Sequence, residues 1–101
     1  MMFKELFTES NTDYILYHDT YTSAIQEAER YANKLGYQLD KEEMADEIGL
    51  GPGKPKPGKT TKHTLELYKN GKPINSKKRF HIQVYNRGQK YHTFELNCYI
   101  A

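Results

Sequence analysis

Hydrophobic positions follow two different rhythms along this chain. In the C-terminal third, Phe80, Ile82 and Val84 alternate with Arg79, His81, Gln83 and Tyr85. Beyond a turn at residues 86–89, Phe94, Leu96, Cys98 and Ile100 alternate with Thr93, Glu95, Asn97 and Tyr99. A period of two in residues rich in Val, Ile, Phe, Tyr and Thr predicts half-buried antiparallel strands. Earlier, Tyr21, Ala24, Ile25, Ala28, Tyr31, Ala32 and Leu35 recur at spacings of three and four, which predicts an amphipathic helix. Thr20, Thr22 and Ser23 offer N-cap hydroxyls, and Ser23 with Gln26 fits a capping box. Glu27 and Glu29 are expected on the wet side, with Glu27 able to pair with Tyr31 or Arg30. Gly36 suits the left-handed position after the helix, with Tyr37 closing on the last turn.

Three shorter elements complete the pattern. Residues 13–19 (DYILYHD) alternate Tyr14, Leu16 and His18 with Ile15 and Tyr17, a short strand able to add an edge to the sheet. Asp40 and Glu43 form a capping box opening a second helix, with Met44 and Ile48 inward and Gly49 at its end. Residues 62–69 (KHTLELYK) read as a further strand, followed by Asn70-Gly71, the strongest short hairpin signal. A two-residue turn there sets Leu67 against Ile74; the alternative is a loose loop over residues 70–78. Opposed residues share a face, so an apolar Phe80/Ile82/Val84 and Phe94/Leu96/Cys98 face requires an odd-length loop between them, with Gly88 at positive φ, as in a three-residue hairpin. The predicted fold is α+β: a short N-terminal strand, one long and one short helix, then a three-stranded antiparallel meander covered by the long helix.

Between the halves, residues 51–59 read GPGKPKPGK. Three prolines and three glycines in nine residues can neither continue a helix nor pair as a central strand, so this is read as a linker with solvated lysines. The letters from Gly53 to Thr60 satisfy a phosphate-loop pattern, but Pro55 and Pro57 remove backbone N–H donors such a loop needs. At 101 residues the whole chain, 1–101, is expected to be one domain.

Charge divides with the rhythm. Residues 1–50 carry four basic and eleven acidic residues, a balance of −7; residues 51–101 carry eleven basic and two acidic, a balance of +9. Either the strand half presents a basic surface or the acidic helices neutralise it. Tyr68, Lys78, Arg79, His81, Tyr85, Arg87, Lys90 and Tyr99 form the candidate binding face: cations neutralise phosphates and rings stack on bases. Tyrosine also favours strands, and lysine also protects exposed edges, so solvation alone is the competing account. The four histidines lack zinc spacing and the single cysteine, in phase with Leu96, reads as a buried hydrophobe. His81 and Glu95 are a possible cross-strand pair. No nucleophile stands beside a base, so the expectation is a protein that is not an enzyme and takes no cofactor and no metal. No apolar run is long enough to span a membrane and no secretory signal is read.

The first ten residues, MMFKELFTES, resemble the capsid-targeting peptide of internal head proteins of T-even-type bacteriophages. The matching positions are Phe3, Glu5, Leu6, Phe7 and Glu9, with Phe7 where that pattern has Ile or Leu; the resemblance implies processing after Glu9. Leu16–Gln26, the Gly/Pro-rich 51–59 stretch, Gly71-Lys72-Pro73 and Gln83–Asn86 are similar to segments of small uncharacterised proteins of marine T-even-like phages. The resemblance implies a phage accessory protein, packaged beside DNA in the head, that binds a host protein or nucleic acid. Its implied location is the host cytoplasm or the virion interior.

Overall fold

The computed structural model describes residues 13–49 and 53–101. The elements follow in the order β1 (Tyr17–His18), α1 (Tyr21–Lys34), α2 (Lys41–Gly49), β2 (Thr60–Glu66), β3 (Tyr68–Lys69), β4 (Lys72–Pro73), β5 (Arg79–Asn86) and β6 (Phe94–Ile100). The targeting-peptide resemblance and Glu9 lie outside the described residues.

The architecture is α+β, as the two rhythms predict. A four-stranded antiparallel sheet has the order β1-β6-β5-β2, and β3 and β4 form a separate two-stranded ribbon. On β5 and β6 the even-numbered residues turn inward: Phe80 faces Ile100, Ile82 faces Cys98 and Val84 faces Leu96. The connecting loop is odd in length, and Gly88 has φ +73°. It runs to seven residues, 87–93, rather than three. The loop is closed by Arg87 N–H donating to Thr93 O at 2.7 Å and Thr93 Oγ1 donating to Gln89 O at 2.7 Å. Phe80, Ile82, Val84 and Leu96 are fully buried, each contributing about 1.5–3 kcal/mol.

The predicted three-stranded meander is corrected at the Asn70-Gly71 hairpin. Both residues take positive φ, +53° and +77°, and Leu67 O accepts the Ile74 N–H at 3.0 Å, as a two-residue primed turn requires. The hairpin does not continue into β5, because residues 75–78 loop out before the main pairing resumes with Glu66 opposite Arg79. Four extra residues are an even number, so the inward parity survives the break. β1 supplies the fourth strand, with Tyr17 opposite Glu95 and His18 opposite Phe94.

α1 closes over β5 and β6 because Ala24, Ala28 and Ala32, all fully buried, let its backbone approach. It does not cover the sheet alone; α2 packs on β2 through the buried Met44. The N-cap is Thr20, whose side chain accepts from Ser23 N–H at 3.0 Å, and not the Ser23–Gln26 box. Gly36 (φ +95°) donates to Asn33 O and Tyr37 N–H to Ala32 O, each at 3.0 Å, a complete Schellman closure. Two placements on this helix are corrected. Leu35 becomes the C-cap and is 40% exposed, whereas Glu27 is only 7% exposed. Glu27 leaves water because it accepts from Ile15 N–H at 2.8 Å and from Arg30 at 2.6 and 2.8 Å.

The proline-rich stretch is tied down rather than a free linker. Lys56-Pro57-Gly58-Lys59 is a turn closed by Lys59 N–H to Lys56 O at 2.9 Å, with Gly58 at φ +79°. Asn86 Nδ2 donates to the carbonyl of the buried Pro55 at 2.9 Å, and Asn86 Oδ1 accepts from Gly88 N–H at 2.8 Å. Lys54, Lys56 and Lys59 are exposed, as expected. The stretch leads into strand β2, whereas a phosphate loop leads into the N-terminus of a helix. Among the described residues no helix is long and apolar enough to cross a membrane.

Candidate nucleic-acid interface on the open sheet face

With the helices on one face of the sheet, the other carries the outward-pointing residues and no described element packs on it. Strand pairing arranges these residues in rows. Tyr17, Glu95, Tyr85 and Thr60 form one row; Asn97, Gln83 and Lys62 the next; Tyr99, His81 and Thr64 the third. Arg79 and Glu66 follow. Alternate residues on a strand stand about 7 Å apart, so the rings sit on separate platforms.

The platforms are held by local contacts. His81 stacks on Tyr99 with ring centroids 4.9 Å apart and planes 20° from parallel. His81 Nε2 lies 3.3 Å from Ala101 O and Nδ1 3.5 Å from Thr64 Oγ1. Gln83 Nε2 donates to the Tyr99 hydroxyl and Asn97 Nδ2 to Gln83 Oε1, both at 3.4 Å. At the far end the Arg87 guanidinium lies 4.5 Å from the Tyr17 ring centroid, and its Nη1 donates to His92 O at 3.0 Å. Tyr17, Tyr85 and Tyr99 are 42%, 39% and 39% exposed. Between Tyr85 and Asn97 lies an open concavity of about 250 Å³, lined also by Thr60, Gln83 and Glu95.

Of the predicted face, Arg79, His81, Tyr85 and Tyr99 come together here, with Arg87 at its rim. Three residues do not join them. Lys78 lies in the looped-out segment, where its N–H donates to Ser76 Oγ at 3.2 Å. Lys90 sits in the 87–93 loop, 5.7 Å from the ring of Tyr91, itself 66% exposed. Tyr68 belongs to the ribbon and exchanges backbone hydrogen bonds with Gln38 at 2.8 and 2.9 Å. Its phenol is pushed above the ordinary value by burial and then by Glu66, Asp40 and Glu43, an acidic setting that repels anions. The His81–Glu95 pairing is also corrected: His81 faces Tyr99, and Glu95 lies between Tyr17 and Tyr85.

Sequence reasoning missed Tyr17 and Lys62 as members of the face. The signal for Tyr17 was its outward phase in residues 13–19, but its value depended on β1 docking beside β6. Among the described residues Lys62, Arg79 and Arg87 have no carboxylate within ion-pair distance; the ion pairs lie elsewhere, at Arg30–Glu27, Lys41–Glu29 and His63–Glu47.

Other polar clusters serve the fold. In the roughly 600 Å³ concavity beside β1, His18 Nδ1 lies 2.7 Å from Ser23 Oγ and Nε2 2.8 Å from Ile15 O. The carbonyl requires Nε2 to carry a proton; in the neutral ring Nδ1 then accepts from the serine, and both nitrogens are satisfied. That pair staples β1 to the first turn of α1. Cys98 is buried between the layers, and burial pushes its thiol up to about 12, which removes thiolate chemistry at neutral pH. No family model, no curated protein and no solved structure matches this chain, so the functional reading rests on the geometry of the face itself.

Proposed function

We propose that this protein is a non-enzymatic binding protein that holds single-stranded nucleic acid on the open face of its sheet. The observation that carries the reading is the set of half-exposed rings, Tyr17, Tyr85 and the Tyr99–His81 stack, bordered by Lys62, Arg79 and Arg87, which have no carboxylate partner among the described residues. Each ring offers a stacking surface to any base, and the cations neutralise phosphates. Glu95 and Glu66, the two acidic residues of the strand half, both lie on this face. Glu95, between Tyr17 and Tyr85, keeps phosphates away from the rings and leaves that row to bases. Glutamine and asparagine amides there supply hydrogen bonds to base edges.

Fluorescence anisotropy with labelled oligo-dT and oligo-U at about 50 and 200 mM salt tests the proposal. Tyr99→Ala and Tyr85→Ala are each expected to weaken binding by about 1–3 kcal/mol. Lys62→Ala is expected to lower the salt slope by about 0.7. Absence of binding at the lower salt, or tyrosine variants that bind like the parent, would overturn it. In the phage accessory role implied by the N-terminal resemblance, the ligand is phage DNA and the protein travels in the head. Mass spectrometry of purified virions is then expected to find the chain beginning after Glu9; its absence, or an intact N-terminus, refutes the packaging role.

A further inference from the structure

Hydrogen bonding across the sheet fixes which backbone groups remain open. Arg79 and Ala101 exchange both N–H···O bonds, at 2.9 and 3.1 Å, and Arg87 N–H donates to Thr93 O. Odd residues of β5 therefore bond to β6. Even residues of β5 must then bond to β2, and Asn86 N–H does reach Lys59 O at 3.0 Å. In the β2–β5 register the even residues of β5 lie opposite Thr61, His63 and Leu65. The N–H and C=O groups of Thr60, Lys62 and Thr64 consequently point away from β5, along an edge of the sheet where no described strand pairs. Glu66 has the same phase, and its N–H points outward to the Glu43 carboxylate at 3.1 Å. That contact independently confirms the direction and closes the edge at one end.

We infer that this edge accepts an acidic, extended peptide from another protein as an antiparallel fifth strand. Backbone groups on three alternate residues, with no hydrogen-bond partner among the described residues, supply the main-chain pairing of β-augmentation. Charge selects the occupant. Lys62 lies on the edge, Lys59 immediately before it, and Lys54 and Lys56 in the tied-down segment; all are exposed and none has a carboxylate within ion-pair distance among the described residues. A second copy would bring the same lysines to the same edge, and like charges opposite one another are unfavourable. The register also sets the peptide's pattern. A residue directly opposite Lys62 shares its outward face and exchanges both backbone bonds with it. Acidic side chains belong there. The intervening residues turn toward α2, where Glu47 stands 3.6 Å from His63, so they are uncharged.

The probe is fluorescein-labelled (Glu-Val)4 with an amidated C-terminus, titrated with the full chain and read by anisotropy. Binding is expected, with (Lys-Val)4 at least about tenfold weaker. N-methylation of the glutamates removes the donors that face β2 and abolishes binding; N-methylation of the valines leaves it intact. Thr64→Pro removes one edge N–H while sparing the bonds to β5, since proline is tolerated on a strand edge, and weakens binding at least about fivefold. The peptide arms remain decisive if that variant fails to fold. No binding of (Glu-Val)4, equal effects of the two methylation patterns, or a dimer of the free protein that Thr64→Pro dissociates overturns the inference.

Discussion

His63 is where both helices meet the sheet, and it makes stability depend on pH with a definite sign. The residue is 1% exposed; Nε2 lies 2.6 Å from the Tyr21 hydroxyl of α1, and Nδ1 has no hydrogen-bond partner among the described residues, with Glu47 Oε1 of α2 at 3.6 Å. Burial lowers the pKa, and the nearby Glu47 charge recovers only part of that. The unfolded chain therefore takes up this proton first as pH falls. Stability is full above the ordinary value of 6.5, falls as pH drops below it, and stops falling once the folded-state pKa has been passed. Within that window one proton changes stability by at most about 1.4 kcal/mol per pH unit. Urea titrations at several values between about pH 7.5 and 5 read the slope, in a range kept clear of Glu27, whose carboxyl titrates below 4.5. His63→Gln retains an acceptor for Tyr21 but cannot titrate, so the slope is expected to shrink by this histidine's share. Glu47→Gln removes the charge that holds the pKa up, so the loss on acidification is expected to grow. A His63→Gln variant with the parental slope, or a parent that gains stability on acidification, would refute the reasoning.

Other perturbations test the remaining joints. Glu27→Ala orphans the Ile15 N–H and the Arg30 hydrogen bonds; because Arg30 is half exposed and regains water, the expected cost at pH 7 is about 1–3 kcal/mol by urea denaturation. The Arg30 hydrogen bond holds the Glu27 pKa below its usual value, so that cost is expected to shrink as pH falls through the folded-state pKa. Gly36→Ala forces a Cβ into a φ of +95°, and an expected loss of about 1 kcal/mol appears as a Tm lower by about 4–8 °C. Asn86→Ala releases Pro55 O and Gly88 N–H; a cost of about 1–3 kcal/mol and faster proteolysis within residues 53–59 are expected.

Much of the face was legible because strand alternation carries its own geometry. Once Phe80, Ile82 and Val84 turn inward, Arg79, His81 and Tyr85 must turn outward, and Tyr99 follows from Cys98. Tyr68 misleads because alternation alone continues its strand in the same sheet; four residues looping out after Ile74 place it in a ribbon beside Asp40 and Glu43. Glu27 misled because helical period alone places a carboxylate in water. Its burial depends on the Ile15 N–H, twelve residues earlier, arriving at 2.8 Å.

The sequence by itself determined the two helices and the long strands, the inward side of β5 and β6, the parity of the 87–93 loop and the glycine closure of α1. Each is local, set by φ preference or by a period of two or 3.6 residues. Tertiary structure alone decided that β1 lies beside β6, that α2 shares the cover, that Asn86 ties down the proline-rich stretch and that β2 is the outermost described strand of the sheet. Those outcomes depend on which backbone donors and acceptors, distant in sequence, meet in space, and no local pattern of side chains encodes that pairing.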